Sequence, residues 1–191
     1  AIHRELRRDF DTGKDTIKEY LDRRREFLGR VGVPAEDENT TEPKYWTSQW
    51  LSIRNYTWAP GTGRAGISWF YRTWDLQTGK QVDPWSWFGP RPQKEPGQIS
   101  GTDSGSMPPK LRRFLFKYAG IEPSKAEKNC ESNYEKDAYY DLTLEAKGMR
   151  FSQPAYGTGC EIEIEVPYAE LGPVLTPAGK AAVQRILESA K

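Results

Sequence analysis

An α+β fold, an antiparallel β-sheet with helices packed on it and a helix at each end, is what this sequence predicts for a single domain over residues 1–191. Three observations predict it. The middle of the chain is dense in aromatic and β-branched residues in rough alternation, the signature of strands. Both ends instead carry apolar residues at helical spacing, near four and seven apart at the N-terminal end, as amphipathic helices do. No strand–helix alternation recurs, as a parallel α/β sheet would require. With 191 residues and 36% hydrophobic content, the chain is long enough to bury one real core.

The elements follow in order. Residues 2–29 read as a helix with Ile2, Leu6, Phe10, Ile17, Leu21 and Leu28 on one side and a weak point at Thr12-Gly13. Its basic run Arg23-Arg24-Arg25 is interleaved with Asp22 and Glu26, so it reads as a solvated face. Residues 31–43 are polar and aperiodic, which predicts a loop. Tyr45 to Trp58 reads as one strand. A second strand begins at Ile67, with Ile67, Trp69, Tyr71 and Thr73 on one face and Ser68, Phe70, Arg72 and Trp74 on the other. Thr78-Gly79 marks a turn.

Residues 90–109, rich in Pro, Gly and Ser, read as an irregular surface excursion. Over 109–121 a short helix is expected, with Leu111, Leu115 and Tyr118 on one side and Gly120 as its stop. Next come a strand, a turn at Lys147-Gly148 and another strand. Residues 161–166 then alternate cleanly, with Ile162, Ile164 and Val166 against Glu161, Glu163 and Glu165. For that glutamate row two roles stay open, the solvent side of a half-buried sheet or a face for a basic partner. Thr176 as N-cap and Pro177 at the first helical position open the last helix. Ala178, Ala182, Val183, Ile186 and Leu187 are expected to face the core.

Charge is nearly balanced, 28 basic residues against 27 acidic, so nothing argues for a nucleic-acid partner, which would need a concentrated basic excess. No apolar run approaches the roughly 20 residues of a membrane span. The chain opens on Ala1 rather than Met, which reads as a processed or trimmed N-terminus. The two cysteines, Cys130 and Cys160, read as one disulfide in an oxidising compartment. Closing that loop would stabilise the fold by about 3.5 kcal/mol in the chain-entropy model. Two buried free thiols are the alternative. With His3 as the sole histidine, a four-ligand zinc site has too few donors, and neither a metal nor another cofactor is expected.

Catalytic templates fit poorly. Gly61, Gly63 and Gly66 spell G-x-G-x-x-G, but a dinucleotide loop must run into a helix whose N-terminus meets the phosphates. Here Ile67 onward has a strand pattern, so a turn between strands is predicted. Gly79-Lys80 is followed by Gln81, which rules out a P-loop. A nucleophile–histidine pair would have to recruit His3, and residues 100–107 lack the nucleophile elbow. Residues 39–41 and 55–57 form the sequons Asn-Thr-Thr and Asn-Tyr-Thr. No catalytic residue is predicted, and the protein is not expected to be an enzyme. The distinctive load is seven tryptophans, Trp46, Trp50, Trp58, Trp69, Trp74, Trp85 and Trp87, which serve either core packing or a binding surface.

The hairpin Asp75, Leu76, Thr78, Gly79 and Lys80, together with the closing residues Gly148, Met149, Phe151, Pro167, Tyr168 and Leu171, resembles a family. It is a domain of unknown function shared by the extracytoplasmic part of lysozyme-sensing anti-sigma factors and the N-terminal part of a peptidoglycan deacetylase. Where that family often carries a histidine in its glycine loop, this chain has Gly61-Thr-Gly-Arg-Ala-Gly66. The resemblance implies a periplasmic or other extracytoplasmic protein that binds rather than catalyses. Its expected partner is another protein, a cell-wall hydrolase or a toxin, which it recognises and neutralises as a lysozyme-binding or immunity protein does. The alternative is a peptidoglycan or glycan module using exposed aromatics. Partner contacts are expected at Trp58, Gly61, Gly63, Arg64, Gly66 and Arg72, and at Trp85 and Trp87.

Overall fold

The computed structural model describes residues 38–58, 67–90, 107–135, 140–153 and 159–189, together with Arg4, Arg7 and Ala138. The helix expected over 2–29 lies outside the described residues except for Arg4 and Arg7, which are helical. Most of the 90–109 excursion lies outside them too. The fold is α+β, as expected. A four-stranded antiparallel sheet runs β1 (Glu38–Trp46), β2 (Trp50–Trp58), β3 (Ile67–Asp75) and β4 (Lys80–Val82) in sequence order. Helix α1 (Pro109–Tyr118) follows, then a three-stranded antiparallel sheet of β5 (Asp141–Leu144), β6 (Gly148–Gln153) and β7 (Ile162–Pro167), then helix α2 (Pro177–Ser189).

The first sheet departs from expectation at its start. Residues 38–43 are strand, not loop, and the single strand expected over 45–58 is the end of β1, a tight turn and β2. The break is local chemistry: the Thr47 hydroxyl accepts from the amides of Gln49 (3.3 Å) and Trp50 (3.1 Å), folding the chain back on itself. β1 escaped notice because it is an edge strand of polar, β-branched residues. Its proline, Pro43, sits at a register shift between Pro43 and Tyr45, a position an edge tolerates. Trp58 pairs with Ile67, so the segment carrying the three glycines joins neighbouring antiparallel strands, as predicted. At the next turn the Asp75 carboxylate accepts from the amides of Gln77 and Thr78 at 2.9 and 3.2 Å. Gly79 there takes a φ of 68°, which glycine adopts without strain.

Helix α1 ends as expected at Gly120, with φ 65° and the Ile121 amide reaching back to the Phe116 carbonyl at 2.8 Å. In the second sheet β7 keeps its predicted alternation, its isoleucines and valine buried and its glutamates exposed. Gly148 is required by close approach, since a Cβ there would sit 2.2 Å from the Val166 carbonyl oxygen. Thr176 caps α2 by accepting from the Gly179 amide at 3.1 Å. Its hydroxyl also donates to the Trp87 carbonyl at 3.0 Å, which ties α2 to the 3-10 helix Pro84–Phe88. Ala182, Val183 and Ile186 are buried as expected, but Ala178 and Leu187 are exposed and Gly179 takes the inner position.

The core lies on the inner face of the second sheet. Phe151 meets the rings of Trp85 and Phe88 edge-on at 5.9 and 5.7 Å, and Trp50 meets Trp87 at 5.4 Å. Leu111, Leu115, Leu144, Met149, Val166 and Ile186 complete it, each almost wholly buried. Cys130 and Cys160 form the expected disulfide, with Cα atoms 5.3 Å apart.

Candidate functional site

Alternation along β7 puts Ile162, Ile164 and Val166 into the core and leaves Glu163 and Glu165 on the outer face, with Glu161 exposed just before the strand. β7 pairs with β6 and forms an edge of its sheet. Register places Arg150 beside Glu165 and Ser152 beside Glu163 on that face. At the adjoining β5–β6 turn, Glu145 completes a charged hairpin end. Arg150 Nε donates to Glu145 Oε1 at 3.1 Å, its Nη2 reaches the same oxygen, and its Nη1 lies 3.7 Å from Glu163 Oε1. Burial disfavours the Arg150 cation, but the hydrogen bond and charge of Glu145, with Glu163 beyond, overcome this and raise its affinity for the proton.

These residues line an open cleft of about 430 Å³ bounded by Glu145, Ala146, Lys147, Arg150, Glu163 and Glu165. Three carboxylates face two cations there, and Glu161, exposed just before β7, adds a further negative charge nearby in sequence. Arg150 bridges two of the carboxylates, so the cleft is held in place before any ligand arrives. Behind it the two sheets meet at a polar seam. The Tyr71 hydroxyl of β3 shares a hydrogen bond with the Thr143 side chain of β5, and burial, with the Asp141 charge, pushes it above the usual tyrosine range.

The residues singled out from the sequence scatter. Gly61, Gly63, Arg64 and Gly66 lie outside the described residues, as does the side chain of Trp58. Arg72 is half-buried on the opposite face of β3 from Tyr71. It donates to Asn55 Oδ1 at 3.2 Å and lies over the rings of Phe70 and Trp74 at 5.5 and 5.3 Å. Asn55, from the second sequon, also donates to the Thr41 hydroxyl at 2.6 Å, so its amide is engaged within the sheet. Trp85 and Trp87 correct the sequence expectation. Both are core residues, 3% and 4% exposed, because the Asp83-capped 3-10 helix turns them under Phe151 and Trp50. Among the described residues the exposed large hydrophobic side chains are instead Trp46 (73%), Tyr118 (41%) and Leu187 (38%).

Sequence reasoning also missed the pairing of Glu145 with Arg150. Its one signal is opposite charges flanking a Lys-Gly turn, which is common enough to pass unremarked. Among the described residues no group of three or more His, Cys, Asp or Glu is placed to hold a metal ion. No described helix is long and apolar enough to cross a membrane. No family model and no curated protein matches the chain. Among solved structures it is similar to a member of the DUF3298 family from Bacteroides fragilis, at 14% identity and a TM-score of 0.49. The similarity covers 90% of this chain and 66% of the other, so this chain spans just under two thirds of that relative's length.

Proposed function

We propose that this protein is a non-enzymatic binding protein of the periplasm or cell envelope that recognises a cationic cell-wall-active enzyme or secreted toxin and neutralises it. The observation that carries the proposal is the glutamate face of β7 with its cleft. There a rigid strand displays Glu163 and Glu165, Glu161 lies exposed just before it, and an internal arginine pre-positions Glu163 and Glu145. A negative, preorganised surface steers and orients a positively charged protein, raising association rate and selecting against acidic partners. The Cys130–Cys160 disulfide supports a location outside the reducing cytoplasm. The residues shared with the family of extracytoplasmic domains point the same way. Segment 61–66, with Arg64, is kept as a second contact.

The test is a calorimetric titration against a cationic wall hydrolase such as lysozyme. Binding should weaken as salt rises, and Glu163→Lys with Glu165→Lys should cost about tenfold or more in affinity, the factor that 1.4 kcal/mol makes. Arg64→Ala in the same titration tests the second contact. Absence of any interaction, with lysozyme and with basic proteins of an envelope extract alike, would sink the proposal. Trp85 and Trp87 offer no glycan platform, because neither ring reaches the surface.

A further inference from the structure

Helix α1, Pro-Lys-Leu-Arg-Arg-Phe-Leu-Phe-Lys-Tyr, carries four cations and no acidic residue, whereas the chain as a whole is balanced. Arg112 is used internally: it donates to the Tyr134 carbonyl and lies over the Phe116 ring at 4.5 Å. Lys110, Arg113 and Lys117 are exposed, and no ion pair holds them among the described residues. At 3.6 residues per turn these three, with Phe114 and Tyr118, fall within an arc of about 140°. Phe114 and Tyr118 stack on each other, with ring centroids 6.0 Å apart and planes 26° apart. Tyr118, on the same side of the helix as the buried Leu111 and Leu115, nonetheless keeps 41% of its surface exposed. The helix therefore presents a row of three cations beside a stiffened aromatic step.

We infer that this face of α1 binds an anionic polysaccharide, one bearing carboxylate or phosphodiester groups, such as a cell-wall polymer. The cations match a chain of regularly spaced negative charges. The exposed face of Tyr118 offers an apolar platform for a sugar ring, with its partner Phe114 fixing its orientation. An anionic membrane fits the same charge less well. Adsorption to lipid draws on inserted apolar area, and the apolar residues of α1 are spent on the core, with Leu111 and Leu115 0% exposed and Phe116 6%. The inference is independent of the glutamate face on β7. Together the two would give one molecule a site for the wall and another for an enzyme that attacks it.

The experiment titrates the intact protein with polygalacturonate. Dextran serves as the neutral polymer and phosphatidylglycerol vesicles as the anionic lipid. Binding to polygalacturonate and not to dextran is expected. Arg113→Glu with Lys117→Glu should weaken it about tenfold or more, and Tyr118→Ala should weaken it severalfold without changing its salt dependence. Both variants alter exposed side chains, and unchanged thermal melts would verify that the fold is intact. Glu163→Lys with Glu165→Lys should leave polysaccharide binding in place. Three results would overturn the inference: no binding to polygalacturonate, binding to vesicles alone, or binding indifferent to Tyr118→Ala, which would reduce the face to unspecific charge attraction.

Discussion

The two sheets bury their residues by different rules. The three-stranded sheet has one dry face and one that is wet toward β7, while Asp141 and Thr143 of β5 on that second face are buried against the first sheet. Leu142, Leu144, Met149, Phe151, Ile164 and Val166 point into the core, while Arg150, Glu163 and Glu165 point away. The four-stranded sheet hides large side chains on both faces. Trp50 shares a face with Ser52 and Asp75, and all three are buried; Trp74 and Ile53 point the opposite way and are buried as well. A period of two reports burial only where one side of a sheet stays in water. That is why β7 was legible at a glance, while the tryptophans of the first sheet left core and surface undecided.

Breaking the dry face of the second sheet should have the largest effect. Phe151 sits under two aromatic rings and is 0% exposed, so Phe151→Ala should lower unfolding free energy by about 3–5 kcal/mol in urea titration. Next is the link that bridges β7's approach to the segment after α1. Cys130→Ser with Cys160→Ser opens a loop of sequence separation 30 and should cost about 3.5 kcal/mol, seen as a lower Tm in calorimetry.

A smaller effect probes how the first sheet is tied down. Arg185 of α2 donates to both Asp75 carboxylate oxygens, at 2.9 and 3.2 Å, and lies over the Trp50 ring at 4.9 Å. Arg185→Met should cost about 1–3 kcal/mol, less than a fully buried pair because 32% of the arginine side chain remains exposed.

The same pair has a pH signature. The hydrogen bond from Arg185, reinforced by the Thr78 and Gln77 amides and the arginine's charge, outweighs burial and holds the Asp75 carboxyl below its usual value. Its contribution is therefore present above the unfolded carboxyl value of about 3.9 and lost as pH falls through the lower folded value. Stability measured from pH 5 to pH 2, a range about the carboxyl values, should fall less steeply in the Arg185→Met variant. An identical acid slope in both proteins would show that Asp75 is not the group responsible.

The smallest effect sharpens the contrast within one residue type. Trp46, at the end of β1, is 73% exposed while Trp50, four residues on, is 2% exposed. Trp46→Ala should stay within about 0.5 kcal/mol. Trp50→Ala should fall in the range of about 3–5 kcal/mol expected for a buried ring.

Much of the molecule was written locally. The alternation of β7, the Thr176-Pro177 start of α2, the Gly120 stop of α1 and the turn at Gly79 each follow from a few adjacent residues, because capping, left-handed φ and side-chain period are short-range effects. The cysteine pair could be read too, since two cysteines admit one bridge. What tertiary structure alone decided is which aromatics meet water and which distant charges meet each other. Trp85 and Trp87 went inside, Trp46 and Tyr118 stayed out, and Arg185 found Asp75 across 110 residues of sequence. Hydrophobic burial has no direction of its own. A ring is hidden or displayed according to what lies over it, and here that cover comes from segments far away along the chain.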